Sequence, residues 1–133
     1  MSAANVEVVR RGFRHFQDTG DFLEDILAPD FLWDMSKFAG WPEQQFYEGI
    51  DGARRFVREW TDAWDDWEIE VEAFHDAGEK VVVVVRQRGR SRTTGLPVDM
   101  LFAQVFTVRD GQQTHMEMYA DPDEAFKAVG LDA

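Results

Sequence analysis

The apolar residues change period once along this chain, and that change does most to limit what it can fold into. Up to about Trp64 they recur at helical spacing, and from Trp67 onward they alternate. Val6, Val9, Phe13 and Phe16 form one stripe on a helix from Ala4 to Asp18, which Gly20 ends. Asp21 caps a short second helix through Leu27, and Pro29 breaks it before a strand from Phe31 to Met35. Residues Ser36 to Phe46, with Gly40 and Pro42, read as a loop. Asp51 then caps a third helix with Ala53, Phe56, Val57, Trp60 and Trp64 on its apolar face, while Arg54, Arg55, Arg58 and Glu59 face water.

Beyond this point Trp67 to Ala73 alternates as a half-buried antiparallel strand does. A turn at residues 76–79 leads into a strand from Val81 to Arg88. A turn at 93–95 leads into another from Val98 to Val108. Asp110-Gly111 is a hairpin signal, and a last strand from Gln113 to Ala120 follows. Asp121-Pro122 opens a terminal helix that Gly130 stops. Helices first and strands after predict an α+β class, with one domain over residues 1–133, since that length buries a core without disulfides.

A formal charge of −12 disfavours nucleic acid and anionic membrane surfaces as partners. The absence of cysteine excludes thiolate chemistry and cysteine-ligated zinc, and fits a cytoplasmic location. No stretch approaches the ~18 apolar residues of a membrane span, and the N-terminal residues lack a signal-peptide pattern. His15, His75 and His115 show no metal-ligand spacing, and glycine-rich phosphate loops are missing, so neither a metal nor a cofactor is expected. Eleven Phe and five Trp are more ring surface than a core of this size requires, which points to a lined cavity or an interface.

The element order, with Leu27-Ala28-Pro29-Asp30-Phe31, Tyr47-Glu48-Gly49, Arg109-Asp110-Gly111 and Met118-Tyr119-Ala120-Asp121, resembles the SnoaL-like branch of the nuclear transport factor two (ketosteroid isomerase-like) superfamily. The resemblance spans nearly the whole chain and carries no catalytic signature. It implies a cone: a curved antiparallel or mixed sheet wrapped over three N-terminal helices, with a short C-terminal helix, an internal pocket and often a dimer through the outer sheet face. By the same resemblance the isomerase tyrosine, base and protonated aspartate fall on Phe13, Met35 and Val105. The acid of the cyclases and epoxide hydrolases falls on Met118. All four are apolar here. A shift of one residue brings in Asp34 or Glu117, which alternation turns the other way.

Hairpin geometry assigns faces independently. A tip at Ala77-Gly78 pairs Val71 with Val84, Ile69 with Arg86 and Trp67 with Arg88. A turn at Thr93-Thr94 pairs Asp99 with Arg88 and Leu101 with Arg86. The Asp110-Gly111 tip pairs Thr107 with Thr114, Val105 with Met116 and Ala103 with Met118. With Glu68, Glu70 and Glu72 in water, these pairs form the concave wall, apolar at Ala103, Val105, Met116 and Met118 and cationic at Arg86 and Arg88. Phe13, Trp33, Met35, Trp60 and Trp67 complete the expected ligand-binding set. Phe102, Gln104, Phe106, His115, Glu117 and Tyr119, with Met100, fall on the convex face, where an apolar patch argues for a homodimer ahead of cover by the terminal helix.

The leading reading is a pocket protein for a flat hydrophobic, polyketide- or steroid-like molecule with an anionic or carbonyl group near Arg86 or Arg88. One alternative is a cofactor-independent cyclase, isomerase or hydrolase using Arg86 or Arg88 as electrophile and Asp99 or Tyr47 for proton transfer. The other is a dimeric interaction module with a filled cavity. For the arginines the competing role is structural, in ion pairs with Asp99 at the sheet margin.

Overall fold

The computed structural model describes residues 3–38 and 45–131. Helix α1 (Ala3–Thr19) is followed by a single 3-10 turn (Glu24–Ile26), β1 (Leu27–Asp34), β2 (Phe46–Glu48) and α2 (Gly49–Thr61). Four long strands follow, β3 (Trp64–Ala77), β4 (Lys80–Ser91), β5 (Pro97–Arg109) and β6 (Gln112–Tyr119), and then α3 (Pro122–Ala128). One six-stranded sheet has the order β2-β1-β6-β5-β4-β3, antiparallel except for the parallel β1–β6 pair. It is curved and unclosed, an α+β arrangement as the sequence predicts.

Several local expectations need correction. The second N-terminal helix shrinks to the 3-10 turn because Asp21 does not cap it. Its carboxylate instead accepts from the Phe22 N–H and takes a two-pronged hydrogen bond from Arg54 at 2.8 and 2.9 Å, tying the loop to α2. That contact holds the Asp21 carboxyl below the usual carboxylate range. Strand β1 begins at Leu27 and runs through Pro29. The β1–β6 register is irregular between Leu27 and Leu32, where proline has no N–H for the ladder. Helix α2 starts before Asp51, whose side chain is exposed and pairs with Arg54, and Trp64 opens β3 rather than extending α2. Of the expected loop at 36–46, Gly40 and Pro42 lie outside the described residues, while Phe46 belongs to β2.

The decisive corrections concern the sheet faces. At the β3–β4 turn the tip is Gly78-Glu79, because Gly78 takes a φ of +81° and Ala77 pairs with Lys80. A two-residue hairpin of this kind needs its positive φ at the first tip residue, which glycine adopts without strain. Moving the tip by one does not change which faces match. The bulge between Val71 and Ala73 does: Glu72 is the extra residue, so Val71 pairs with Val85 and Ile69 with Gln87. Between β5 and β6 the tip is as expected, but Thr114 is a second extra residue. Phe106 therefore pairs with Met116, and Gln104 with Met118.

The β4–β5 hairpin keeps its expected register, with Arg88 opposite Asp99 and Arg86 opposite Leu101. Its faces are nevertheless inverted, because a bulge on each side turns both strands together. Val81, Val83, Val85, Phe102 and Phe106 join the main core beneath α1 and α2. Val82, Ala103, Val105 and Tyr119 lie on the outer face, packed with Ala125, Phe126 and Val129 of the C-terminal segment. Helix α3 is held there by its Asp121 cap, which accepts from the Asp123 N–H at 3.0 Å, with Pro122 next to it.

Candidate functional site

A cavity of about 80 Å³ lies between the helices and the concave sheet face. Helix α1 supplies Gly12, Phe13 and Phe16, the following loop Phe22, and α2 supplies Phe56, Val57 and Trp60. The strands add Trp33, Trp67, Ile69, Val85, Phe102, Gln104, Phe106, Gln113 and Met118. None of these lining residues carries an ionisable group. The rings interlock edge to face: Phe13 meets Phe106 at a centroid distance of 5.8 Å, Phe16 meets Trp67 at 6.2 Å and Phe22 meets Trp33 at 5.8 Å. Such contacts hold aromatic walls in one arrangement.

The indole N–H groups are turned away from a prospective guest by protein acceptors. Trp33 donates to the Met35 sulfur at 3.3 Å, while Trp60 and Trp67 both donate to the Oε1 of the fully buried Gln87. Gln104 and Gln113 are different, since both are buried and line the cavity. Gln104 donates weakly to the Met118 sulfur at 3.9 Å, and the Gln113 carboxamide has no hydrogen-bond partner among the described residues. Gly12 makes room at this end. A Cβ there would stand 2.8 Å from Ile26 Cδ1 and 3.4 Å from the Gln113 Nε2.

Of the ligand-binding residues expected from sequence, Phe13, Trp33, Trp60, Trp67 and Met118 do line the cavity. Met35 and Met116 are fully buried beside it in the core. Ala103 and Val105 are corrected to the outer face, packed in the cluster that includes Ala125 of α3. Arg86 and Arg88 also point outward. Arg86 donates to Glu72 at 2.7 Å and to Asp99 at 2.8 Å, and Arg88 stands 3.5 Å from Asp99. Tyr47 is fully buried behind α2, donates to Glu59 at 2.6 Å and lies beneath the Arg55 guanidinium. None of the four candidate catalytic residues is on the cavity wall.

The hydrogen bond from Arg86 holds the Asp99 carboxyl below its ordinary range. A depressed folded-state value makes this contact stabilising above the ordinary carboxylate range, and the contribution fades as pH falls through the folded-state value. Urea titrations from pH 7 to pH 3 are accordingly expected to show a shallower loss of midpoint in Asp99→Asn than in the parent.

The expected convex set is split. Phe102, Gln104 and Phe106 line the cavity and leave the patch proposed for dimerisation. His115, Glu117 and Tyr119 remain outside, where His115 lies 3.4 Å from the carboxylate of the buried Asp34 and Glu117 pairs with Asp34 across β1–β6. His75 packs against Phe126 on the same side. His15 sits on α1 and is half-buried, outside the lining set.

Sequence reasoning missed Phe102, Gln104 and Phe106 because their face assignment was inverted. Phe56 and Val57 were legible as the same helical stripe as Trp60. Gln113 gave no signal, since a polar residue at a strand start usually meets water. Among the described residues no helix is long and apolar enough to cross a membrane, and no group of three or more His, Asp or Glu is placed to hold a metal.

No curated protein matches the chain. Among solved structures it is similar to an NTF2-like protein from Burkholderia thailandensis, with 27% identity, a TM-score of 0.74, and 94% of this chain and 96% of that one covered. It is also similar to a putative SnoaL-like polyketide cyclase from Jannaschia sp. CCS1, with 26% identity, a TM-score of 0.72, and 100% and 98% covered. TerC, crystallised with polyporic acid, shares the fold at 20% identity and a TM-score of 0.73, with 96% and 99% covered. The model of the SnoaL-like domain matches residues 9–116, and the chain therefore belongs to the SnoaL-like family.

Proposed function

We propose that the protein binds a flat, hydrophobic small molecule in the cavity beneath α1 and α2. The observation that carries this reading is the wall itself, which among the described residues is made of Phe, Trp, Met and aliphatic side chains with two carboxamides and no ionisable group. Burial against such walls favours planar apolar guests. The similarity to a putative polyketide cyclase makes a polyketide-derived ring system a natural candidate. Proton-transfer catalysis needs an acid or base within reach of the guest. Among the described residues the lining supplies none, which favours binding ahead of turnover. A polar group on the ligand would meet Gln104 or Gln113 rather than Arg86 or Arg88.

A fluorescent apolar probe is expected to bind the wild type and to bind Met118→Arg at least about tenfold more weakly, because a guanidinium would fill the cavity and resist desolvation. Arg86→Gln should leave probe affinity within about twofold, since that side chain is on the opposite face of the sheet. Equal binding by wild type and a folded Met118→Arg would remove the cavity as the site.

A further inference from the structure

We propose that this cavity, taken as the small-molecule site argued above, selects an uncharged ligand that offers carbonyl or hydroxyl groups to Gln104 and Gln113, and rejects the corresponding anion. The two glutamines are 6% and 5% exposed. Gln113 makes no side-chain hydrogen bond to the described residues, and Gln104 makes a long one, to the Met118 sulfur. Among the described residues Trp64 Nε1 is the one fully buried side-chain nitrogen or oxygen without a partner, so the unbonded amide atoms of Gln104 and Gln113 are not sealed in protein and stay open to a partner, which a leucine there would not offer. Polar atoms kept at two buried positions facing one cavity are therefore suited to meeting something inside it.

A carboxamide both donates and accepts, so it matches a carbonyl or a hydroxyl equally well. It carries no charge to balance an anion. Arg86 and Arg88 alternate to the outer face, where Glu72 and Asp99 engage them, and Arg109, which pairs with Gln112 beside Gln113, is exposed and engaged by Glu79 at 3.2 Å. An anion entering here would lose its hydration without gaining a cation, in a protein whose net charge is already −12.

The register also gives the guest a layout. Gln104 pairs with Met118, whereas Gln113 pairs with Val108, which is further along β5. The backbone positions are thus about 13 Å apart at the usual rise of a strand. Phe106 and Met116, paired with each other, lie between them. The ligand this arrangement suits is apolar in the middle, with polar groups toward its ends.

Equilibrium dialysis with naphthalene, 2-acetylnaphthalene and 2-naphthoate tests the idea. Wild-type protein is expected to hold the ketone about fivefold more tightly than naphthalene, the gain of one hydrogen bond. The carboxylate should bind at least about thirtyfold more weakly than the ketone. In Gln104→Leu/Gln113→Leu the ratio of ketone to naphthalene affinity should fall to near one. Naphthoate binding as tightly as the ketone, or an unchanged ratio in the folded double variant, overturns the inference while leaving the cavity as a site. Failure of all three probes to bind overturns the site reading and the inference together. Should the double variant not fold, the wild-type series still decides between ketone and carboxylate.

Discussion

Phe106→Glu is expected to lower the urea midpoint severely or prevent folding altogether. The sheet register places Phe106 on the concave wall, 6% exposed and edge to face with Phe13. Removing a large buried aromatic side chain costs about 3–5 kcal/mol, and an uncompensated carboxylate in the same place adds several more. Together these approach the about 5–15 kcal/mol that usually holds a domain folded. Leu101→Glu is the comparison, because Leu101 is 38% exposed on the opposite face of the same strand. That change should stay within about 0.5 kcal/mol of the parent. A stable Phe106→Glu protein, measured by urea denaturation and circular dichroism, would mean that β5 presents its other face to the core.

Gln87→Leu is the second large effect. Gln87 is fully buried, and its Oε1 accepts from the indoles of both Trp60 and Trp67. Trp60 belongs to α2 and Trp67 to β3, so one carboxamide joins the helix to the edge of the sheet through the cavity wall. Leucine matches the volume but accepts nothing, leaving two indole N–H groups with no acceptor at that position. At about 1–3 kcal/mol for each unmet donor, a loss of about 2–6 kcal/mol is expected in urea denaturation. Tryptophan emission should shift as well, because two rings of the wall lose their common anchor. A loss below about 1 kcal/mol would show that the indoles find other partners or water.

These two positions show how the site was and was not readable beforehand. Trp60 and Trp67 were legible as wall residues, one from the helical stripe of α2 and the other from its alternation with Glu68, Glu70 and Glu72. Their common acceptor was not, because Gln87 lies between Arg86 and Arg88 in a strand whose expected inner residues were those arginines. Met116 and Met118 were correctly turned inward, since the parity of β6 was right. Ala103 and Val105 were matched to them and were not inward, because Thr114 inserts one extra residue between the hairpin tip and Met116. The expected outward turn of Asp34 and Glu117 does hold, and His115 lies 3.4 Å from the Asp34 carboxylate there.

The residue order by itself determined the helices α1 and α2, the four long strands after them, the α+β class, the Arg88–Asp99 register and the capped terminal helix. Each depends on neighbours a few positions away, through period, turn chemistry or capping. Which set of alternating residues faces the helices was decided only by the tertiary structure. Period-two alternation is blind to a single inserted residue, whereas one bulge exchanges the inner and outer faces of everything beyond it. Here Glu72 and Thr114 do this on either side of one hairpin. They carry Arg86 and Arg88 outward to their acidic partners and bring Phe102, Gln104 and Phe106 in to meet the rings of α1 and α2.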